Sequence, residues 1–123
     1  MQTHQVLIVD DDEDIRESLV DFLEDHGYEA VGAVHGRDAL DKLLSHALEP
    51  CVIILDLMMP VMDGKEFREE QLGDPGISNI PVVVISAYKD VAENAKSLNV
   101  TSHLAKPLDL STLLLAVQKY CPS

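Results

Sequence analysis

Tryptophan is absent from these 123 residues, and aromatic residues make up only 4% of them. The core must therefore be assembled from Leu, Val, Ile and Ala. Bases are also few: nine Lys and Arg stand against 22 Asp and Glu, a formal net charge of −13. So acidic a surface repels nucleic acid and anionic membrane, and suits cations or a partner with a basic or apolar patch. The two cysteines, Cys51 and Cys121, lack C-x-x-C spacing and are too few for a disulfide framework or a zinc site. Cys51 opens an apolar run and is expected as a buried thiol, Cys121 as an inert one. No run approaches about 18 apolar residues, so no spanning helix is expected. Met1-Gln2-Thr3-His4-Gln5 shows no charged segment followed by an apolar one, as a secretory leader would. The expectation is a cytoplasmic protein.

The length fits one domain over residues 1–123, large enough to bury one ordinary core. Val6-Leu7-Ile8-Val9 is a short run of strand formers that stops at acids, the mark of a buried strand. Asp12 to His26 carries Ile15, Leu19, Phe22 and Leu23 at helical spacing, with acids in its first turn and Gly27 at its end. Glu29–Val34 reads as a weaker strand. Arg37–Leu48 reads as a helix with Leu40, Leu43, Leu44 and Ala47 on one face. Cys51–Leu55 is a third buried strand ending at Asp56, and a polar helix is expected from Gly64 to Leu72. Pro81–Ile85 is a fourth strand ending at Ser86. Asp90–Leu98 reads as a modest helix and Ser102–Ala105 as a short fifth strand before Lys106-Pro107. Leu110, Leu113, Leu114 and Val117 mark a last amphipathic helix. Continuous apolar strands alternating with helices imply a parallel sheet covered on both faces. The fold class is α/β, a flavodoxin-like doubly wound (βα)5 with five parallel strands.

The polar residues fall at the strand ends. Asp10 and Asp11 follow the first strand, Asp56 ends the third, Ser86 the fourth and Lys106 the fifth. Ligands of open parallel sheets bind outside the carboxyl ends of the strands. With strand order 2-1-3-4-5, the first and third strands are neighbours and the three aspartates meet. Adjacent carboxylates repel, and burying them costs several kcal/mol unless a cation intervenes. Hard oxygen ligands of this kind suit Mg²⁺, which leaves room for a phosphate oxygen. Lys106 offers a point positive charge, Ser86 a hydroxyl donor, and a carboxylate can act as a nucleophile toward phosphorus.

These residues together resemble the receiver domain of two-component response regulators, along nearly the whole chain. Val9-Asp10-Asp11 resembles its acidic pair. Asp56-Leu57-Met58-Met59-Pro60-Val61-Met62-Asp63-Gly64 resembles its phospho-acceptor loop, Ser86-Ala87 its switch hydroxyl with a small neighbour, and Lys106-Pro107 its Lys-Pro step. The resemblance implies that Asp56 accepts a phosphoryl group from a phosphohistidine on a histidine kinase or histidine phosphotransfer protein. It implies Mg²⁺, with Mn²⁺ as a substitute, on Asp11, Asp56 and the Met58 backbone carbonyl, with Asp10 acting through water. Lys106 would pair with the phosphoryl group, Ser86 would move toward it, and small Ala87 would leave phosphorus accessible. Lys106-Pro107 is expected to be cis, and Gly64 to be structural at a helix start. Met58 and Tyr88 hold positions that tune phosphate lifetime, and their bulk predicts slow self-dephosphorylation. One departure stands out: where the family commonly has Tyr or Phe as a second switch, this chain has His103, which can carry charge near neutral pH. The kinase-docking surface would comprise Ile15, Leu19, Pro107 and Leu108. The output face would bind an unidentified downstream protein, as a monomer or a weak phosphorylation-dependent dimer.

Asp12, Glu13 and Asp14 are a solvated acid run favoured at a helix start. Met58, Met59 and Met62 shape a loop rather than bind a soft metal. His4, His26, His35 and His46 lack ligand spacing and read as surface residues. The leading expectation is a stand-alone regulator without an output domain, the alternative a receiver cut from a hybrid kinase or longer regulator. A haloacid-dehalogenase-type phosphatase would carry a second Asp where Met58 stands. An FMN-binding flavodoxin would need a hydroxyl- and Gly-rich loop where Asp10-Asp11-Asp12 would repel phosphate.

Overall fold

Val6, Leu7, Ile8 and Val9 are all fully buried, as a strand covered on both faces requires. The computed structural model describes residues 4–45, 49–56, 64–86, 102–105 and 109–121, with backbone alone at Gly64, Ser86, Ser102, His103 and Ala105. Its elements are β1 (Gln5–Val9), α1 (Glu13–Asp25), β2 (Glu29–Ala33), α2 (Gly36–Leu44), β3 (Val52–Asp56), α3 (Gly64–Leu72), β4 (Val82–Ser86), β5 (Ser102–Ala105) and α4 (Leu110–Tyr120). The five strands form one sheet in the order β2-β1-β3-β4-β5, with every neighbouring pair parallel. The expected helix over Asp90–Leu98 lies outside the described residues.

Strand alternation divides the core in two. Leu7, Val9, Ile53, Leu55, Val82 and Val84 face one side and meet Leu40 and Leu43 of α2 and Phe67 of α3. Val6, Ile8, Val52, Ile54, Val83 and Ile85 face the other and meet Leu19 and Leu23 of α1 and Leu113 and Val117 of α4. Helices on both faces explain why these strands carry no polar alternation.

The helix ends follow their local chemistry. The Asp12 carboxylate caps α1 by accepting from the Ile15 amide at 3.1 Å. Gly27 ends it with φ of 89°, where its amide donates to Glu24 O and the Tyr28 amide to Leu23 O. That pair of bonds satisfies the last carbonyls and suits a residue without a Cβ.

Three expectations are corrected. Cys51 and Cys121 are joined by a disulfide, with Cα atoms 5.5 Å apart across 70 residues of sequence. The start of β3 and the end of α4 lie over the same sheet face, so topology pairs two cysteines that spacing leaves unrelated. Leu44 is 45% exposed, because the last turn of α2 reaches the rim of a groove shared with Glu69, Glu70, Asp74 and Ile77. His35 is half-buried and caps α2, its Nδ1 accepting from the Asp38 amide at 3.1 Å. His46, Ala47 and Leu48 lie outside the described residues.

Candidate functional site: an acidic cluster at the strand ends

β1 and β3 are neighbours at the point where strand order reverses, so the acids that close them share one crevice. One carboxylate oxygen from each of Asp10, Asp11 and Asp56 lies within 4.8 Å of the others. Asp10 is fully buried and Asp56 is 5% exposed, whereas Asp11 is exposed. The sequence-predicted trio is thus brought together. Three carboxylates at this spacing, two of them buried, carry repulsion that a small hard cation would relieve, and the all-oxygen donor set fits such an ion.

The local backbone holds Asp10 tightly. Its amide donates to Ala33 O at 3.1 Å, continuing the β1–β2 pairing by one residue. Its Oδ1 accepts from the Asp12 amide at 2.9 Å. Its carbonyl accepts from Arg16 Nη1 at 2.9 Å. Sequence reasoning missed Arg16, the single base in α1. It missed Gly32 too, although a glycine inside a strand often marks a close approach by another group. A Cβ built on Gly32 would stand 2.9 Å from Arg16 Cδ and 3.0 Å from Cγ. The arginine stem therefore lies across the bare backbone of β2.

Ser86 ends β4, aligned with Ala105 of β5 and one residue beyond the partner of Asp56. His103 is aligned with Val84. The side-chain roles expected of Ser86 and His103, and all those expected of Met58, Ala87, Tyr88, Lys106 and Pro107, lie outside what is described. Gly64 stands at the first position of α3. The expected docking surface is corrected in part. Leu19 is 3% exposed and packs in the core beneath α1, so it offers nothing to a partner. Ile15, one turn nearer the site, is partly buried, and Pro107 and Leu108 are not described.

A doubly wound sheet with an acidic trio at the switch point defines a class, and the comparisons place the chain within it. Residues 6–118 match the family described as Response regulator receiver domain, and the chain belongs to that family. It is 34% identical to sporulation initiation phosphotransferase F of Bacillus subtilis, over 99% of this chain and 97% of that one. It is 38% identical to response regulator MprA of Mycolicibacterium vanbaalenii, over 89% of this chain but only 47% of that protein, so it spans about half the length of that relative. Among solved structures it resembles response regulator TrrA of Thermotoga maritima in complex with Mg²⁺ and BeF, with a TM-score of 0.84 and 28% identity, over 96% of this chain and 99% of that one. Among the described residues, no helix is long and apolar enough to cross a membrane.

Proposed function

We propose that this chain is a phosphorylation-activated signalling switch with Asp56 as its phospho-acceptor. The observation that carries the reading is the convergence of the Asp10, Asp11 and Asp56 carboxylates within 4.8 Å at the carboxyl ends of β1 and β3. A carboxylate oxygen of Asp56 attacks phosphorus on the phosphohistidine of a histidine kinase or phosphotransfer protein. The new O–P bond forms as the N–P bond breaks, and the imidazole leaves with the electron pair.

Mg²⁺, or Mn²⁺ in its place, would be held by Asp11, Asp56 and the Met58 carbonyl, with Asp10 acting through water, and would neutralise charge on the phosphoryl oxygens. The magnesium in the TrrA complex supports this choice of metal. Lys106 pairs with the phosphoryl group, and Ser86 hydrogen-bonds it and shifts. Met58 and Tyr88 shield it from water, His103 takes part in reporting the change, and Lys106-Pro107 and Gly64 shape the site. The chain is a regulatory phospho-acceptor rather than an enzyme: the only catalysis it performs is in its own phosphorylation and dephosphorylation. Leu115, 68% exposed on α4, and Leu110, 41% exposed, support an apolar contact there with a downstream protein. The charge of −13 argues against nucleic acid or membrane as that partner.

Our first reading is a stand-alone single-domain regulator in the cytoplasm, and the likeness to a phosphotransferase of Bacillus subtilis supports onward transfer of its phosphoryl group, to a second histidine. The match to half of MprA favours the second reading, a receiver within a longer regulator. The test is intact mass after incubation with phosphoramidate. A phosphate-sized gain that requires Mg²⁺ and disappears in Asp56→Asn supports the function, and no gain in the wild type refutes it.

A further inference from the structure

Asp11 is exposed, so packing does little to aim its carboxylate; its backbone must. The peptide on either side of Asp11 is pinned. On the N-terminal side, Arg16 Nη1 holds the Asp10 carbonyl at 2.9 Å, which fixes the plane of the Asp10–Asp11 peptide. On the C-terminal side, the Asp12 amide is held by Asp10 Oδ1 at 2.9 Å, which fixes the Asp11–Asp12 peptide. Two fixed planes set both backbone dihedrals of Asp11, and with them the direction of its Cα–Cβ bond. On its way to the carbonyl the Arg16 stem crosses β2 at Gly32, where a Cβ would stand 2.9 Å from Cδ and oblige the stem to shift.

We infer that Arg16, seated on Gly32, is a positioning residue that aims the Asp11 carboxylate at the metal site. The inference rests on the Mg²⁺ reading above. A second effect opposes it: a guanidinium near the site repels a divalent cation, so charge alone would make Arg16 weaken metal binding. The two effects have opposite signs, and substitution separates them. Arg16→Gln removes the bond and the charge. Arg16→Lys keeps the charge without the planar guanidinium. Gly32→Ala keeps the charge and displaces the stem.

The experiment is calorimetric titration of the metal-free protein with Mg²⁺ for the wild type, these three variants and Asp11→Asn, with thermal unfolding of each in EDTA. The loss of a group that orients a metal ligand typically weakens binding by about tenfold or more. Affinity is expected to fall by about that factor in Arg16→Gln and Gly32→Ala, with Arg16→Lys failing to restore it and the unfolding midpoints in EDTA near the wild type. Tighter or unchanged binding in Arg16→Gln overturns the role. So does a loss of affinity that tracks a collapse of the unfolding midpoint in every variant. Should Gly32→Ala fail to fold, the two Arg16 variants decide. A wild type that binds no Mg²⁺ overturns the metal reading and this role with it. A wild type that binds Mg²⁺, weakened by Asp11→Asn but not by Arg16→Gln, overturns the positioning role alone.

Discussion

The Asp12 amide donates to the Asp10 carboxylate across 2.9 Å. Asp12 in turn caps α1 through the Ile15 amide at 3.1 Å. The start of the helix and the geometry of the acidic cluster are therefore one turn of chain. The acid run after β1 serves two purposes: Asp10 and Asp11 belong to the acidic cluster, while Asp12 caps the start of α1 and braces Asp10.

Carboxylates within 4.8 Å of one another repel by about 1 kcal/mol where water screens them, and more where they are buried. Asp11→Asn removes one such charge from the exposed side. In EDTA this variant is expected to be more stable than the wild type by about 1 kcal/mol in urea unfolding. In Mg²⁺ the order reverses, because the wild type gains binding free energy that the variant lacks. An Asp11→Asn protein no more stable than the wild type in EDTA contradicts the repulsion.

The Cys51–Cys121 disulfide closes a loop of 70 residues and ties the end of α4 to the start of β3. Chain entropy assigns such a link up to about 4 kcal/mol. Urea unfolding of the oxidised protein, compared with the same protein in dithiothreitol, is expected to show a lower midpoint on reduction, with native circular dichroism retained before the transition. An unchanged midpoint would mean that the link contributes nothing to stability. In a reducing cytoplasm the pair would stand as two thiols, and the reduced protein is then the relevant form.

Asp38 offers a pH handle away from the site. Burial pushes its carboxyl up, but the Val34 amide, the Lys42 ammonium and His35 together hold it below the usual carboxylate range. Asp38 accepts from Val34 N at 3.0 Å and from Lys42 Nζ at 3.1 Å. A carboxyl depressed in the folded state contributes stability above its unfolded pKa and loses it as pH falls through the folded one. Asp38→Asn is therefore expected to destabilise at pH 7 and to converge on the wild type in strong acid. With this pair about one-third exposed, the effect is small and weakens with salt. Equal destabilisation at pH 7 and in strong acid contradicts the assignment.

The strands were legible because burial on both faces leaves uninterrupted apolar runs, and Val6–Val9 and Val52–Leu55 needed no other signal. The aspartate cluster was legible because those runs stop at acids and doubly wound topology brings the first and third strand ends together. What escaped were pairings between distant segments. A glycine inside a strand often marks a close approach, but nothing in local pattern names Arg16 as the group that approaches Gly32, or shows that the fold closes Cys51 on Cys121. Leu19 had the spacing of a core residue and also a place in a docking surface inferred by resemblance; its burial decides for the core. Leu44 shares the angular sector of Leu40, but the last turn of α2 runs past the packed face into the groove beside α3.

The most direct measurement locates the phosphoryl group itself. The protein is incubated with phosphoramidate and Mg²⁺, reduced with borohydride to convert any aspartyl phosphate to homoserine, digested, and sequenced by mass spectrometry. The account predicts homoserine at position 56, and none when Mg²⁺ is removed. Homoserine at Asp10, Asp11 or another acid instead of Asp56, or none at all, would contradict it.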